Sequence, residues 1–250
     1  MKYLIPTLFL ILFISCSKNS TSLTTENSCN RIVEVLDYHP NDSPIYQTTA
    51  DLTYNSDGKI KTVTGQGFNH SEYTYYNDSI VLKAKDINGA DIGQVYYLNT
   101  QHRITRTKYA NEEYQYDADG YLISYKQPYG NNGQIFGYTQ YYLTWQNGNL
   151  TSVYTNDQNV SRKKVTFQYY NLPNQNLLGY NSPFSVGNIL YNRSSLFLLG
   201  GLYFGKQPKD LLKSSNFNDI DQSGNIIYQS DLKGRIIDFA GFFKFKYQCP

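Results

Sequence analysis

His39, His70 and His102 are the chain's three imidazoles, and each stands apart from any second His or Cys at metal-ligand spacing. They read as turn or surface histidines. No Gly-x-Ser-x-Gly elbow, phosphate loop or His-Glu-x-x-His occurs, and Gly65-Gln66-Gly67 lacks the third glycine of a nucleotide cradle. Glu112 and Glu113 are adjacent, so on a strand they point to opposite faces and cannot share acid–base work. A small hydrolase is therefore the least supported reading, and no cofactor is indicated. One segment alternates oxygen ligands like the early half of a calcium loop: Asp219, Asp221 and Ser223, with Gly224 and Ile226 following. Its twelfth position is Ser230 where a bidentate Glu belongs, and a plain β-turn uses the same residue types.

The cysteines carry more. Lys2 precedes an apolar run from Leu4 to Ile14, broken only by Pro6 and Thr7, and then Ser15 and Cys16. That is a secretory signal in miniature, far shorter than the roughly 20 apolar residues of a membrane span. Phe13-Ile14-Ser15-Cys16 resembles the lipobox of bacterial lipoproteins, with Phe13 where Leu is usual. Residues 1–15 are accordingly expected to be cleaved, leaving Cys16 acylated. Its chains and the acylated amine would together give the two or more anchors that stable membrane attachment requires. The alternative is an ordinary secreted protein. Residues 17–28 are polar and read as a flexible tether, and residues 29–250 as a single β domain. Ser17 and Lys18 form no acidic retention signal, which by analogy with lipoproteins points to the outer membrane. Cys29 and Cys249 sit at the two ends of the domain in a disulfide-permissive compartment, so a bridge between them is expected. Two unpaired thiols buried in separate strands are the alternative.

The elements that must position these groups are strands. The chain holds 26 Tyr and 13 Phe, residue types that favour pleated, half-buried surfaces. Short alternating runs flank turn chemistry repeatedly: Tyr54 to Ile60 across Asn55-Ser56-Asp57-Gly58, Tyr116 to Leu122 across Asp117-Ala118-Asp119-Gly120, Trp145 to Leu150 across Gln146-Asn147-Gly148, and Asp231-Leu232-Lys233-Gly234 before Ile236. The post-turn aliphatics Ile60, Ile80, Ile104, Leu122 and Leu150 recur at loosely regular spacing, as a hairpin repeat would give. The expected fold is all-β: an antiparallel up-and-down meander of about a dozen strands, too many for an open sheet without curling, rolled into an open barrel or superroll. Asn192-Arg193-Ser194-Ser195 can cap a short helix through Leu196-Phe197-Leu198-Leu199 before Gly200-Gly201. This insertion near residues 189–204 is too apolar for water and too short for a bilayer, so it is expected to plug the hollow, with a ligand-facing role at a cavity mouth as its rival.

Tyr114-Gln115-Tyr116-Asp117-Ala118-Asp119-Gly120-Tyr121-Leu122 resembles the tyrosine-aspartate repeat of Rhs-type shell proteins. Over most of residues 50–247 the chain is similar to a family of bacterial envelope lipoproteins with a porin-like, curled β-meander fold. The features that carry this likeness are the tyrosine-rich hairpins, Asn181-Ser182-Pro183-Phe184, the apolar stretch Leu196 to Phe204, Gln207-Pro208-Lys209 and the final run Phe242 to Tyr247. The resemblance implies fold and envelope location and brings no catalytic residue.

The net charge of +2 is spread without runs, so a nucleic-acid partner is not indicated. Thr53, Lys61, Lys83 and Gln115 at strand positions leave no continuous lipid-facing band, which argues against a membrane-spanning porin. The tyrosine doublets 75–76, 96–97, 141–142 and 169–170 should send one ring inward and one outward. Tyr76, Tyr97, Tyr142, Trp145 and Tyr170 are the candidate binding residues, for a glycan or an envelope protein. Set against that reading is a purely structural or assembly lipoprotein, whose aromatic rings serve only cross-strand pairing.

Overall fold

Tyrosine and β-branched runs separated by Asp-Gly and Asn-Gly turns become strands in the computed structural model. It describes residues 31–39, 46–65, 70–85, 89–131, 134–155, 164–175, 177–179, 182–183, 198, 201–217, 220–221 and 225–248. Among the described residues the strands form one 17-stranded antiparallel sheet. They are β1 Arg31–His39, β2 Tyr46–Tyr54, β3 Ile60–Thr64, β4 Ser71–Tyr75, β5 Ser79–Ala84, β6 Gln94–Leu98, β7 Ile104–Thr107, β8 Glu113–Tyr116 and β9 Leu122–Asn131, then β10 Gln134–Gln146, β11 Asn149–Thr155, β12 Lys164–Pro173, β13 Asp210–Phe217, β14 Ile220–Asp221, β15 Tyr228–Ser230, β16 Ile236–Phe239 and β17 Phe243–Gln248. The count exceeds the expected dozen because two- to four-residue strands such as β14 and β15 are too short to show a period in sequence.

Successive strands pair antiparallel from β1 to β14, β12 and β13 across the long connection 174–209, and again from β15 to β17, and β17 returns to pair with β1, Arg31 opposite Gln248. Among the described residues no ladder joins β14 to β15, so the curled sheet stays open at one seam. That seam is bridged by Ile226 N–H donating to Lys213 O, with the Tyr170 and Tyr228 hydroxyls donating to Ile226 O and Leu212 O. Of the helical insertion, the described residues show Leu198 in a helical backbone and 201–204 in turns.

Polarity is layered. The interior is an apolar core including Val35, Ile80, Ile104, Leu122, Leu150 and Leu212. Outward positions such as Thr53, Lys61, Lys83 and Gln115 are exposed. This is the reverse of a transmembrane barrel, which shows an apolar band outward and a polar lumen within. No helix among the described residues is long and apolar enough to cross a membrane.

One contact repeats around the sheet and explains the spacing of the sequence repeat. An aromatic residue in the later part of a strand donates its polar hydrogen to the carbonyl of an aliphatic residue near the start of the preceding strand. Tyr75 reaches Ile60 O, Tyr116 reaches Ile104 O, Trp145 Nε1 reaches Leu122 O, Tyr169 reaches Leu150 O and Tyr247 reaches Ile236 O, at 2.7–2.9 Å, and Tyr54 reaches Ile32 O likewise. The aliphatic after one turn and the aromatic before the next turn at that rim are thus two halves of one clasp, as Ile60 and Tyr75 are. All these clasps lie at the same rim, here the plug rim. At the opposite, far rim the buried inward positions turn polar: Asp37, Thr48, Gln94, Thr107 and Thr155.

β6 ends in Leu98, which has no polar hydrogen to give. Residues 203–204 dock on the hairpins around that sector: Tyr203 stacks on Tyr75 at 5.8 Å, Phe204 meets Tyr114 edge-on at 5.2 Å, and Tyr203 O accepts from Ile104 N–H. Leu198 and Phe204 are fully buried in the core. Gly205, at φ +84°, follows, and a Cβ there would come within 2.6 Å of Gly120 O. Lys206 N–H then bonds Gly120 O and Lys209 N–H bonds Gly148 O, so the segment crosses the plug rim from turn to turn before entering β13.

Candidate functional site

Alternation splits each tyrosine doublet. Tyr96 is buried, Tyr141 stacks on buried Tyr125 at 4.2 Å, and Tyr75 and Tyr169 form clasps. Their neighbours do not converge on one surface. Tyr97 lies beneath the Arg106 guanidinium at 4.1 Å, and Tyr142 stacks on Tyr154 at 5.1 Å. Trp145 is a clasp whose ring sits 4.6 Å from Tyr121, and Tyr170 bonds the seam. Only Tyr76 of the five is mostly exposed, at a plug-rim turn.

The concave surface lies elsewhere, on the outer face toward the far rim, in a cleft of about 510 Å³ over β4, β5 and β6. Val81 and Val95 form its floor, half-buried because they are the outward partners of buried Leu82 and Gln94. Its rim carries exposed His70, Glu72, Lys83, Lys85 and Asp91, and one wall is the Tyr109 ring. Lys108 N–H extends the β7 ladder onto Val95 O at 2.9 Å, which lays residue 109 against β6. There the buried Gln94 side chain takes over: its Oε1 accepts the N–H of both Val95 and Tyr109 at 2.9 Å. An aromatic ring that is 63% exposed therefore stands on backbone fixed by a buried amide, with the Lys108 ammonium 5.1 Å from its centroid. On the other flank of Tyr109 a second cleft of about 360 Å³ runs past Glu112, Gln127, Tyr129 and Ile135. Burial raises the Glu112 carboxyl above its usual range, against the opposing hydrogen bonds donated by Tyr114 and Thr107 hydroxyls at 2.8 and 3.3 Å.

The fold resembles that of a porin-like protein. A crystal structure of that protein, from Bacteroides uniformis, aligns with a TM-score of 0.64 at 14% identity, covering 86% of this chain and 96% of the other. A structure described as TcdB2-TccC3-Cdc42 aligns at a TM-score of 0.32 and 13% identity, over 80% of this chain and 10% of that one, too low to argue from. No family model and no curated protein matches the sequence. The first likeness establishes the porin-like β fold and nothing of chemistry.

The remaining sequence candidates separate. His70 lies on the cleft rim, His102 is exposed in the β6–β7 turn at φ 57°, and the backbone of His39 closes β1 opposite Tyr46. Glu112 and Glu113 do diverge, the first half-buried and bonded to Tyr114, the second exposed and 3.8 Å from Lys126 Nζ. Among the described residues no three His, Cys, Asp or Glu groups could hold a metal ion. Asp221 contributes backbone pairing to β14, while Asp219, Ser223, Cys16, Cys29 and Cys249 lie outside the described residues. Sequence reasoning passed over Tyr109 because it is no doublet and stands after Lys108, outside any alternating run. A signal was present in the buried Gln94, a polar residue at an inward strand position that required partners.

Proposed function

We propose that this chain is a lipoprotein of the bacterial envelope, tethered through Cys16, that acts as a non-catalytic binding module for a glycan or an envelope protein through exposed tyrosines. The observation that carries the reading is the pinned, exposed Tyr109 standing between two clefts. Exposed rings with fixed backbones give large contact area at low entropy cost. Tyr76, Tyr138 and Tyr154 add exposed rings on other strands. Envelope placement rests on the signal and lipobox at residues 1–16, and the outer membrane on Ser17 and Lys18. The porin-like name of the structural neighbour agrees with an envelope setting.

The structural or assembly reading keeps one observation in its favour: Tyr97, Tyr142, Trp145 and Tyr170 are engaged by Arg106, Tyr154, Leu122 O and Ile226 O. A glycan array and an envelope pull-down, run on wild type and on a Tyr76→Ala/Tyr109→Ala/Tyr138→Ala/Tyr154→Ala variant, separate the two. The binding reading expects specific capture by wild type and its loss in the variant. Identical profiles for both proteins favour the structural reading.

A further inference from the structure

The outer-face cleft over β4–β6 is specific enough in its chemistry to name a ligand class. We infer that it is a subsite for a short, neutral oligosaccharide, stacked on Tyr109 and seated on Val81 and Val95. The inference rests on the binding-module reading above and deepens it.

Size is the first argument. A volume of about 510 Å³ falls within the 300–1,000 Å³ usual for small-molecule sites, room for a few sugar rings. Surface chemistry is the second. A pyranose has an apolar face of C–H bonds ringed by hydroxyls. The negative face of an aromatic ring and a valine floor suit the former, and short-range donors and acceptors suit the latter. Tyr109, Val81 and Val95 supply the apolar part, and Glu72, Asp91, Lys83, Lys85 and His70 supply acceptors and donors around it. Charge is the third. Glu72 lies in register with Lys83 and Lys85 with Asp91, so the carboxylates and ammonium groups of the lining balance, and the Lys108 ammonium beside Tyr109 adds one cation, less than the basic patch an anionic polymer or a nucleic acid needs. Carboxylates accept hydroxyl hydrogens strongly while the nearby lysines donate to hydroxyl oxygens.

Topology disfavours a peptide. β5 is hydrogen-bonded to β4 on one side and β6 on the other, Val81 opposite Thr74 and Val95, so the floor has no free strand edge to extend. The usual extended-peptide mode, addition of a strand, is closed here. Pre-organisation completes the case. Gln94 holds the Tyr109 backbone through its buried Oε1, and Gly93 lets its strand approach Leu82 O, where a Cβ would come within 2.8 Å. The backbone that carries the Tyr109 ring is thus fixed before any ligand arrives.

The test is titration calorimetry of the full chain, detergent-solubilised, with neutral gluco-, galacto- and manno-oligosaccharides and with polygalacturonate as the anionic control. The account expects at least one neutral oligosaccharide to bind. It expects Tyr109→Ala to weaken that binding about tenfold or more, Tyr109→Phe to keep most of it, and Glu72→Gln/Lys83→Met to weaken it, all with unchanged melting temperature. Binding indifferent to Tyr109→Ala overturns the assignment, as does binding of polygalacturonate alone. If every sugar fails while Tyr109→Ala abolishes capture of an envelope protein, the oligosaccharide assignment falls and the binding-module reading stands. If Tyr109→Ala changes neither, both fall.

Discussion

At the scale of the residue, the clasp hydrogen bond gives Tyr54, Tyr75, Tyr116, Tyr169 and Tyr247 a common task. Burial raises the hydroxyls of Tyr54 and Tyr247 to about 12 and those of Tyr116 and Tyr169 further still, loss of water being the largest cause in each. These rings stay neutral donors at any physiological pH. Tyr116→Phe and Tyr169→Phe keep the ring and leave Ile104 O or Leu150 O without its partner, so each is expected to lower unfolding free energy by about 1–3 kcal/mol in urea denaturation. Tyr76→Phe, at an exposed ring, should change it little. Glu112 offers a pH test. Its folded carboxyl titrates above the usual value of 4.5, so the folded state holds more protons than the unfolded chain from 4.5 up to the raised value. The stability attached to Glu112 is complete below 4.5 and is lost as pH rises through the raised value. Glu112→Gln should therefore flatten the melting temperature against pH in that interval and melt at or above wild type near neutrality.

At the scale of the element, hairpins were legible and their ends were not. Turn pairs such as Asp119-Gly120 and Asn147-Gly148 mark strand boundaries because Gly120 and Gly148 take φ 94° and 79°, a region other residues avoid. The length of β10, 13 residues with a bulge near Gly137, was invisible because its outer half alternates among residues that are all partly exposed. The plug was legible as an apolar stretch without a partner, yet its docking place was not, since that is made by Tyr75, Ile104 and Tyr114, which come together only in the folded sheet. Phe204→Ala empties a fully buried site and should cost about 3–5 kcal/mol. Because Ile104 N–H is bonded to Tyr203 O, amide exchange should accelerate at Ile104 ahead of Leu122 in that variant. Uniform acceleration would mean the plug is no separate element.

At the scale of the whole molecule, the sheet has two unlike ends. Arg31 and Gln248 leave the sheet as register partners at the plug rim, whereas the Tyr109 clefts open toward the far rim. A lipid at Cys16 would reach the domain through the tether at its plug-rim end. The paired exits also suit the proposed Cys29–Cys249 bridge, which would close a loop worth roughly 5 kcal/mol in chain entropy. Mass spectrometry of the non-reduced protein should then find no alkylatable thiol at either position. The curled meander was readable from strand number alone, but the site was not, because Tyr109 gains meaning only from Gln94, fifteen residues upstream and buried on the next strand. Anchoring is the premise on which the envelope role stands, and feeding cells a labelled fatty acid tests it most directly. The account predicts label on the wild-type protein and none on Cys16→Ala, which should leave the membrane fraction. An unlabelled wild type, with Cys16→Ala fractionating unchanged, would contradict it.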